Sequence, residues 1–144
     1  MNVLIIFETQ NGTTQYVAEV MQKELSLLGH NVDLHSVKAK GADPSLEKYG
    51  AILFGAPTYE DGKLETAMKV FTVRFSKDLS QYKIGVFGLG NSTFPQFCFS
   101  AMILEEFVHK NHGELCVPLL KIDGFPDDLT HIESWIKQLS EKIL

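Results

Sequence analysis

The sequence predicts an α/β protein with a doubly wound, five-stranded parallel sheet and helices on both faces. Short apolar runs, too brief for helices and rich in β-branched residues, alternate along the chain with segments whose apolar residues recur at helical spacing. This alternation is typical of βαβ units, and their right-handed crossovers place helices on both sides of a parallel sheet. We expect the 144 residues to form one domain, residues 1–144.

Three strands are predicted in the first half of the chain. Asn2 to Phe7 is a continuous apolar run, which predicts a buried strand, and Val17 to Leu28 then repeats apolar residues at helical spacing. Val32 to Val37 alternates apolar and polar residues, as a half-exposed edge strand does. Lys38 to Lys48 is polar and is expected to contain a loop and one short helical turn. Ala51 to Ala56 is the third predicted strand.

The second half repeats the pattern twice. Apolar residues at helical spacing from Leu64 to Phe75 predict a helix, and Lys83 to Gly88 is the fourth predicted strand. A further helix is expected from about Gln96 to Asn111, followed by a fifth strand from Leu115 to Leu120. The loop at Asp123 to Asp128 then leads into the last helix, which is expected to begin at about Asp128.

Composition excludes several classes of partner. The net charge of -5 and the isoelectric point near 5.5 argue against a nucleic-acid partner, because phosphate backbones require clustered Lys and Arg. No apolar run approaches about 18 residues and Met1 leads directly into the first strand, so we expect a cytoplasmic protein that does not engage a membrane. Cys98 and Cys116 lie in apolar stretches and are expected to be buried free thiols rather than a bridge.

The turn between the first strand and the first helix is suited to a phosphate. Hydroxyl and amide side chains there would surround backbone N–H groups at the positive end of a helix. The six residues are Thr9, Gln10, Asn11, Gly12, Thr13 and Thr14. The segment has neither the G-x-G-x-x-G of a dinucleotide fold nor the G-x-x-x-x-G-K of a P-loop. Two further informative loops follow the third and fourth strands.

With these three loops located, the sequence resembles the flavodoxin family across its whole length. The family's phosphate motif is an apolar pair, an aromatic residue, T-x-x-G-x-T and an alanine. Its matches here are Ile5, Ile6, Phe7, Thr9, Gly12, Thr14 and Ala18. The resemblance implies strand order 2-1-3-4-5 and a non-covalently bound FMN whose phosphate lies at residues 9–14. The long insertion that splits the fifth strand of long-chain flavodoxins is missing, so the resemblance is to the short-chain members.

The second loop resembles the family segment that lies against one face of the isoalloxazine ring. Its residues are Pro57, Thr58, Tyr59, Glu60, Asp61 and Gly62. The resemblance implies that Tyr59 stacks on the ring, where relatives have Trp or another large residue. Family members flip a peptide just after that residue on reduction, where glycine or asparagine is frequent. Glu60 carries a Cβ and resists positive φ. We therefore expect the peptide flip to stabilise the one-electron-reduced flavin less than it would with glycine at this position.

The third loop resembles the family pattern G-x-G-[DN]-S-x-[YF]-x-x-F-C. Its residues assigned to the flavin are Gly88, Leu89, Gly90, Asn91, Phe94, Phe97 and Cys98. The resemblance implies that the glycines let backbone groups reach the pyrimidine edge of the flavin and that Phe94 stacks where relatives have tyrosine. Many relatives have an aspartate in place of Asn91. Losing that carboxylate is expected to raise the second reduction potential.

The resemblance implies a low-potential one-electron carrier, not an enzyme, that shuttles electrons between a flavodoxin-reductase-type donor and an acceptor oxidoreductase. We expect a monomer. Acidic residues expected to steer a basic partner are Glu60, Asp61, Glu65, Asp127 and Asp128. Two alternatives stay open, a flavin-dependent NAD(P)H reductase and a non-redox interaction module. No metal site is expected. His109, His112 and Cys116 could be read as ligands, but Gly113 ends the helix that carries the histidines and no fourth ligand of suitable spacing appears.

Overall fold

The computed structural model describes residues 1–59 and 62–143. Its strands are β1 (Asn2–Phe7), β2 (Asn31–Ser36), β3 (Ala51–Pro57), β4 (Lys83–Gly90) and β5 (Leu120–Asp123). Its helices are α1 (Thr13–Leu27), α2 (Thr66–Arg74), α3 (Phe99–Lys110) and α4 (Thr130–Ile143). All strand pairs are parallel, in the order β2-β1-β3-β4-β5. The predicted fold class and strand order are therefore confirmed.

Alternate residues of the central strands pack on opposite faces of the sheet. Val3 and Ile5 of β1 lie in the core cluster that includes the apolar residues of α1 and α4. Leu4 and Ile6 lie in the second cluster, with the apolar residues of α2 and α3. Successive side chains of β1 point to opposite faces of the sheet, and helices cover both faces. This is why β1 is apolar throughout. Within the described part of the chain, no helix is long and apolar enough to span a bilayer.

The predicted position of the fifth strand is wrong. Leu115 forms only an isolated bridge with Ile84, and the paired strand runs from Leu120 to Asp123 beside β4. Pro118 interrupts the predicted segment, because proline has no N–H to donate to a strand ladder. Its carbonyl instead accepts a hydrogen bond of 2.8 Å from Trp135 Nε1. The loop after β5 lies at the edge of the sheet where β1, β3 and β4 also end.

The short helical turn expected between Lys38 and Lys48 is absent from that segment, which forms turns and extended chain. Arg74 of α2 explains part of this difference. Its guanidinium donates two hydrogen bonds to the Asp43 carboxylate, at 2.9 and 2.6 Å, and Lys77 Nζ donates to the Pro44 carbonyl at 2.9 Å. These contacts hold Asp43 and Pro44 against the carboxyl end of α2, so the segment does not form the expected helical turn.

Helix α3 begins at Phe99 rather than at the predicted Gln96, because Cys98 has a left-handed backbone conformation with φ of 52°. Both cysteines are free, as predicted. Cys98 is fully buried, whereas Cys116 is half-buried. Burial raises the pKa of the Cys98 thiol to about 11, so this thiol stays protonated at neutral pH.

A buried histidine makes the stability of the fold depend on pH. His30 is 4% exposed; its Nε2 lies 2.9 Å from Ser140 Oγ, and its Nδ1 accepts from the Met1 ammonium at 3.4 Å. Burial, and then the Met1 charge, lower the pKa of His30 below its usual 6.5. The unfolded chain therefore binds a proton near pH 6.5 that the folded protein binds only at lower pH.

We expect the free energy of unfolding to fall as the pH drops below about 6.5, and to fall less in His30→Gln. Urea unfolding of both proteins at about pH 8 and about pH 5.5 measures the difference. Burial also lowers the pKa of His35. This histidine is present in both proteins, so its contribution to the pH dependence of stability is the same in both. An equal loss of stability in the two proteins would show that His30 does not carry the effect.

Candidate cofactor site

Loops from four strands meet in one cleft of about 320 Å³ at the carboxyl edge of the sheet. The lining residues are Asn11, Thr13, Thr14, Pro57, Thr58, Leu89, Gly90, Gly124 and Phe125. Each of the three loops singled out in the sequence contributes to this wall. Carboxyl ends of strands at a topological switch point are where doubly wound sheets bind ligands. The cleft is therefore the candidate site, and the loop after β5 contributes Gly124 and Phe125, two residues that the sequence did not indicate.

The first loop presents an uncapped helix N-terminus. Gly12 is the N-cap of α1 with φ of 94°, makes no side-chain cap hydrogen bond, and no acidic residue stands in the first turn. The loop is closed internally, since Gly12 N donates to Thr9 Oγ1 at 2.9 Å and Thr13 N donates to Asn11 Oδ1 at 3.3 Å. The positive end of the helix, at Thr13 and the buried Thr14, thus borders the cleft and favours an anion.

The base of the second loop is fixed by a serine that the sequence did not indicate. Thr58 N donates to the Leu89 carbonyl at 2.9 Å, and Thr58 Oγ1 donates to Ser100 Oγ at 2.7 Å. Ser100 is fully buried, its Oγ donates to the Ala56 carbonyl at 2.9 Å, and its N–H donates to Thr58 Oγ1 at 3.0 Å. Every polar group of this contact has a partner, so the Thr58 side chain is held rigidly at the wall of the cleft.

Tyr59 is half-buried, and among the described residues it is not one of those that line the cleft. Burial, and then the negative charges of Glu65 and Glu8, raise the pKa of its phenol. The side chain is therefore within electrostatic reach of these two carboxylates. Gly62 N closes the loop by donating to the Tyr59 carbonyl at 2.8 Å. Glu60 and Asp61 lie outside the described residues, so the expectation for the peptide at Glu60 stays a prediction.

The glycines of the third loop are required by packing against α3. A Cβ on Gly88 would lie 2.8 Å from the backbone N of Ala101, and one on Gly90 would lie 2.7 Å from the backbone N of Cys98. Neither backbone atom can move aside without displacing the start of α3. The Cys98 thiol donates to the Gly88 carbonyl at 3.4 Å. These residues thus set how closely the loop after β4 approaches α3, whatever ligand the cleft holds.

Side chains beyond Gly90 make local contacts. Asn91 Oδ1 accepts from Thr93 N at 2.9 Å and from Thr93 Oγ1 at 2.7 Å. Ser92 donates through its N–H and its hydroxyl to the Asp123 carboxylate, at 2.9 and 2.5 Å. This pair ties the third loop to the end of β5. Gln10, Asn91 and Phe94 are exposed and Phe97 is half-buried, and none of them lines the described wall of the cleft.

The exposed aromatic residue at the cleft is Phe125. Its ring is 58% exposed and stacks on Tyr16 of α1, with centroids 5.2 Å apart and planes at 17°. Gly124 N, one residue earlier, donates to the Gly90 carbonyl at 2.8 Å. No motif in the sequence indicates Phe125 as a residue of the site.

Comparisons with known proteins match this chain to flavodoxins. The family model described as Flavodoxin matches residues 5–135. The flavodoxin of Nitratidesulfovibrio vulgaris is 27% identical over 87% of this chain and 86% of that protein. The flavodoxin of Maridesulfovibrio salexigens is 27% identical over 97% of both. Oxidised flavodoxin 2 from Bacillus cereus superposes with a TM-score of 0.91 at 27% identity, covering 99% of each chain.

A longer protein matches over the same region. The flavoprotein alpha-component of sulfite reductase from Vibrio cholerae is 28% identical over 94% of this chain, which corresponds to 22% of that protein. The relatives thus include both proteins of about the length of this chain and a unit within a larger reductase.

Proposed function

The chain belongs to the flavodoxin family, and we propose that it is a low-potential one-electron carrier that holds FMN non-covalently in the cleft at the carboxyl edge of its sheet. Flavodoxins bind FMN, which accepts and gives up electrons one at a time. The proposal further assigns it a reductase-type donor and an acceptor oxidoreductase, between which it moves as a monomer.

The observation that carries the proposal is the uncapped N-terminus of α1. A phosphate dianion is favoured by the positive end of a helix, and Gly12 leaves that end of α1 accessible because it makes no side-chain cap hydrogen bond and has open space beside its Cα. Thr13 and Thr14 add hydroxyls at the same place. The sequence has this one phosphate turn and no G-x-G-x-x-G turn for a diphosphate, which supports FMN over a dinucleotide.

The remaining walls suit a flat ring system. Pro57 and Leu89 are neighbours in the β3 and β4 register and give an apolar floor, while Thr58 is fixed by Ser100. Phe125 is the exposed aromatic residue bordering this space. We place the ring against these residues. The stacking roles of Tyr59 and Phe94 remain proposals, since neither lines the cleft as described.

Not all of the acidic residues that were expected to steer a partner are available to do so. Glu65 caps α2 by accepting from Ala67 N at 3.0 Å and lies 4.0 Å from Lys38 Nζ, so it is engaged within the protein. Asp127 and Asp128 are exposed beside Phe125, although Asp128 also accepts from Thr130 N. We propose that this acidic and aromatic edge meets a basic redox partner.

The test is an anaerobic reductive titration of the FMN-loaded protein followed by absorbance. We expect electrons to be taken up in two resolved one-electron steps. Reduction in a single two-electron step would contradict the carrier role, and rapid reduction by NADPH alone would favour a reductase instead. A protein that is purified colourless and does not quench the fluorescence of added FMN would overturn the proposal altogether.

A further inference from the structure

Lys38 connects two of the loops that border the cleft. It follows β2, where Val37 N donates to the Phe7 carbonyl at 2.9 Å, next to the end of β1. Its Nζ lies 2.9 Å from Glu8 Oε1 and donates to the Thr9 carbonyl at 2.8 Å. The same ammonium lies 4.0 Å from Glu65 Oε2. One cation thus contacts the residue before the phosphate loop, the first residue of that loop and the cap of α2.

Glu8 is the buried end of this arrangement. Its side chain has no exposed area, and its Oε2 has no hydrogen-bond partner among the described residues. Burial raises the pKa of Glu8, the hydrogen bond to Lys38 opposes that shift, and the nearby Glu65 adds to it. A buried carboxylate is costly unless it is paired, so Glu8 holds the Lys38 ammonium in place.

The contact with Thr9 transmits the position of Lys38 to α1. Thr9 Oγ1 accepts from Gly12 N at 2.9 Å, and Gly12 is the N-cap of α1. The Gly12 carbonyl in turn accepts the first hydrogen bond of the helix, from Tyr16 N at 2.9 Å. A displacement of the Thr9 carbonyl therefore moves the N–H groups at the start of α1.

The contact between Lys38 and Glu65 connects Lys38 to the start of α2, which follows the second loop. Glu65 Oε2 accepts from Ala67 N and so fixes the first turn of α2. The pKa of Tyr59, the third residue of that loop, is raised by burial and by the charges of Glu65 and Glu8, and the charge of Lys38 opposes this shift. The ammonium lies 2.9 Å from one carboxylate and 4.0 Å from the other, so the three side chains form one charged cluster, which we define as Glu8, Lys38 and Glu65.

We propose that Lys38 is a positioning residue for the phosphate, which holds the Thr9 carbonyl so that the loop at residues 9–14 is set to receive a phosphate group. This inference rests on the proposed function, since it concerns the same cleft. The competing explanation is that Lys38 only neutralises the buried Glu8 and stabilises the fold.

Three variants separate these explanations: Lys38→Met, Glu8→Gln and the double variant. The amide in Glu8→Gln can still accept a hydrogen bond from Lys38, and the double variant contains no unpaired buried charge. Lys40→Met, an exposed lysine two residues along the same segment, is the control for loss of a positive charge. The affinities of FMN and of riboflavin, which lacks the phosphate, are measured for each protein by quenching of flavin fluorescence.

We expect the double variant to bind FMN roughly tenfold more weakly than Glu8→Gln, with a much smaller change for riboflavin. Lys38→Met should show the same selective loss, and Lys40→Met should show little change. If the double variant binds FMN within about twofold of Glu8→Gln, Lys38 acts only on Glu8 and the inference falls.

An equal loss for FMN and riboflavin would also overturn the inference, because it indicates general damage to the fold rather than to phosphate binding. If the wild-type protein binds FMN and Lys38→Met shows no selective loss of FMN affinity, the positioning role is refuted and the carrier role is not affected. Wild-type protein that binds neither flavin would refute both.

Discussion

Thr13→Glu is expected to weaken FMN binding by roughly a hundredfold or more while leaving the unliganded protein at least as stable as the wild type. Thr13 is the first residue of α1, lines the cleft and has no acidic neighbour in its turn. A carboxylate at this position repels a phosphate dianion at close range and competes for the same N–H groups. The same carboxylate interacts favourably with the helix dipole, so the empty protein gains rather than loses stability.

Fluorescence quenching by the protein measures the affinity, and urea unfolding of the unliganded protein measures the stability. Thr13→Gln is the matched control, because it has the same size as the glutamate variant without its charge. Riboflavin is the second control, since it lacks the phosphate and its binding should fall far less. If Thr13→Glu binds FMN as tightly as Thr13→Gln does, the phosphate does not lie at the start of α1.

The fold was largely predictable because most of its determinants are local. Apolar runs such as Ala51 to Ala56 are buried on both faces, and the helical periods give the residues that cover them. The predicted position of β5 is wrong for an equally local reason, because the apolar run contains Pro118 and proline cannot donate to the strand ladder. The four-residue strand that does form contains Lys121 and Asp123 and is too short to give a clear period.

The candidate site was predictable only in part, because several of its contacts join residues far apart in sequence. The phosphate loop is a contiguous turn, and its chemistry follows from its composition. By contrast, Lys38 contacts Glu8 and Thr9 only because β1 and β2 are neighbours in the sheet. In the sequence, nothing distinguishes Ser100 from other serines in helical segments. Its role depends on the contact with Thr58, which is 42 residues away in the chain. Pairwise contacts of this kind leave no periodic signal in one sequence.

Gly55→Ala is expected to lower the free energy of unfolding by about 3 kcal/mol. Gly55 lies opposite Phe87 in the register of β3 and β4, and a Cβ at Gly55 would overlap the Phe87 ring. Phe87 is fully buried in the core cluster under α1 and α4, so its ring cannot turn into solvent to make room. Urea unfolding of the two proteins at neutral pH, with unchanged slopes, gives the difference directly.

Gly50→Ala provides the matched control, because the added Cβ would meet only the flexible end of the Met1 side chain, with Sδ at 2.9 Å. We expect it to cost less than about 1 kcal/mol. The cause is isolated by Phe87→Leu, which removes the ring: Gly55→Ala should cost much less in that background, giving a coupling of at least about 1 kcal/mol. If the effects of the two substitutions are additive, the loss of stability in Gly55→Ala does not come from the contact with Phe87. The lack of a side chain at Gly55 would then not be the reason that Phe87 can pack across β3.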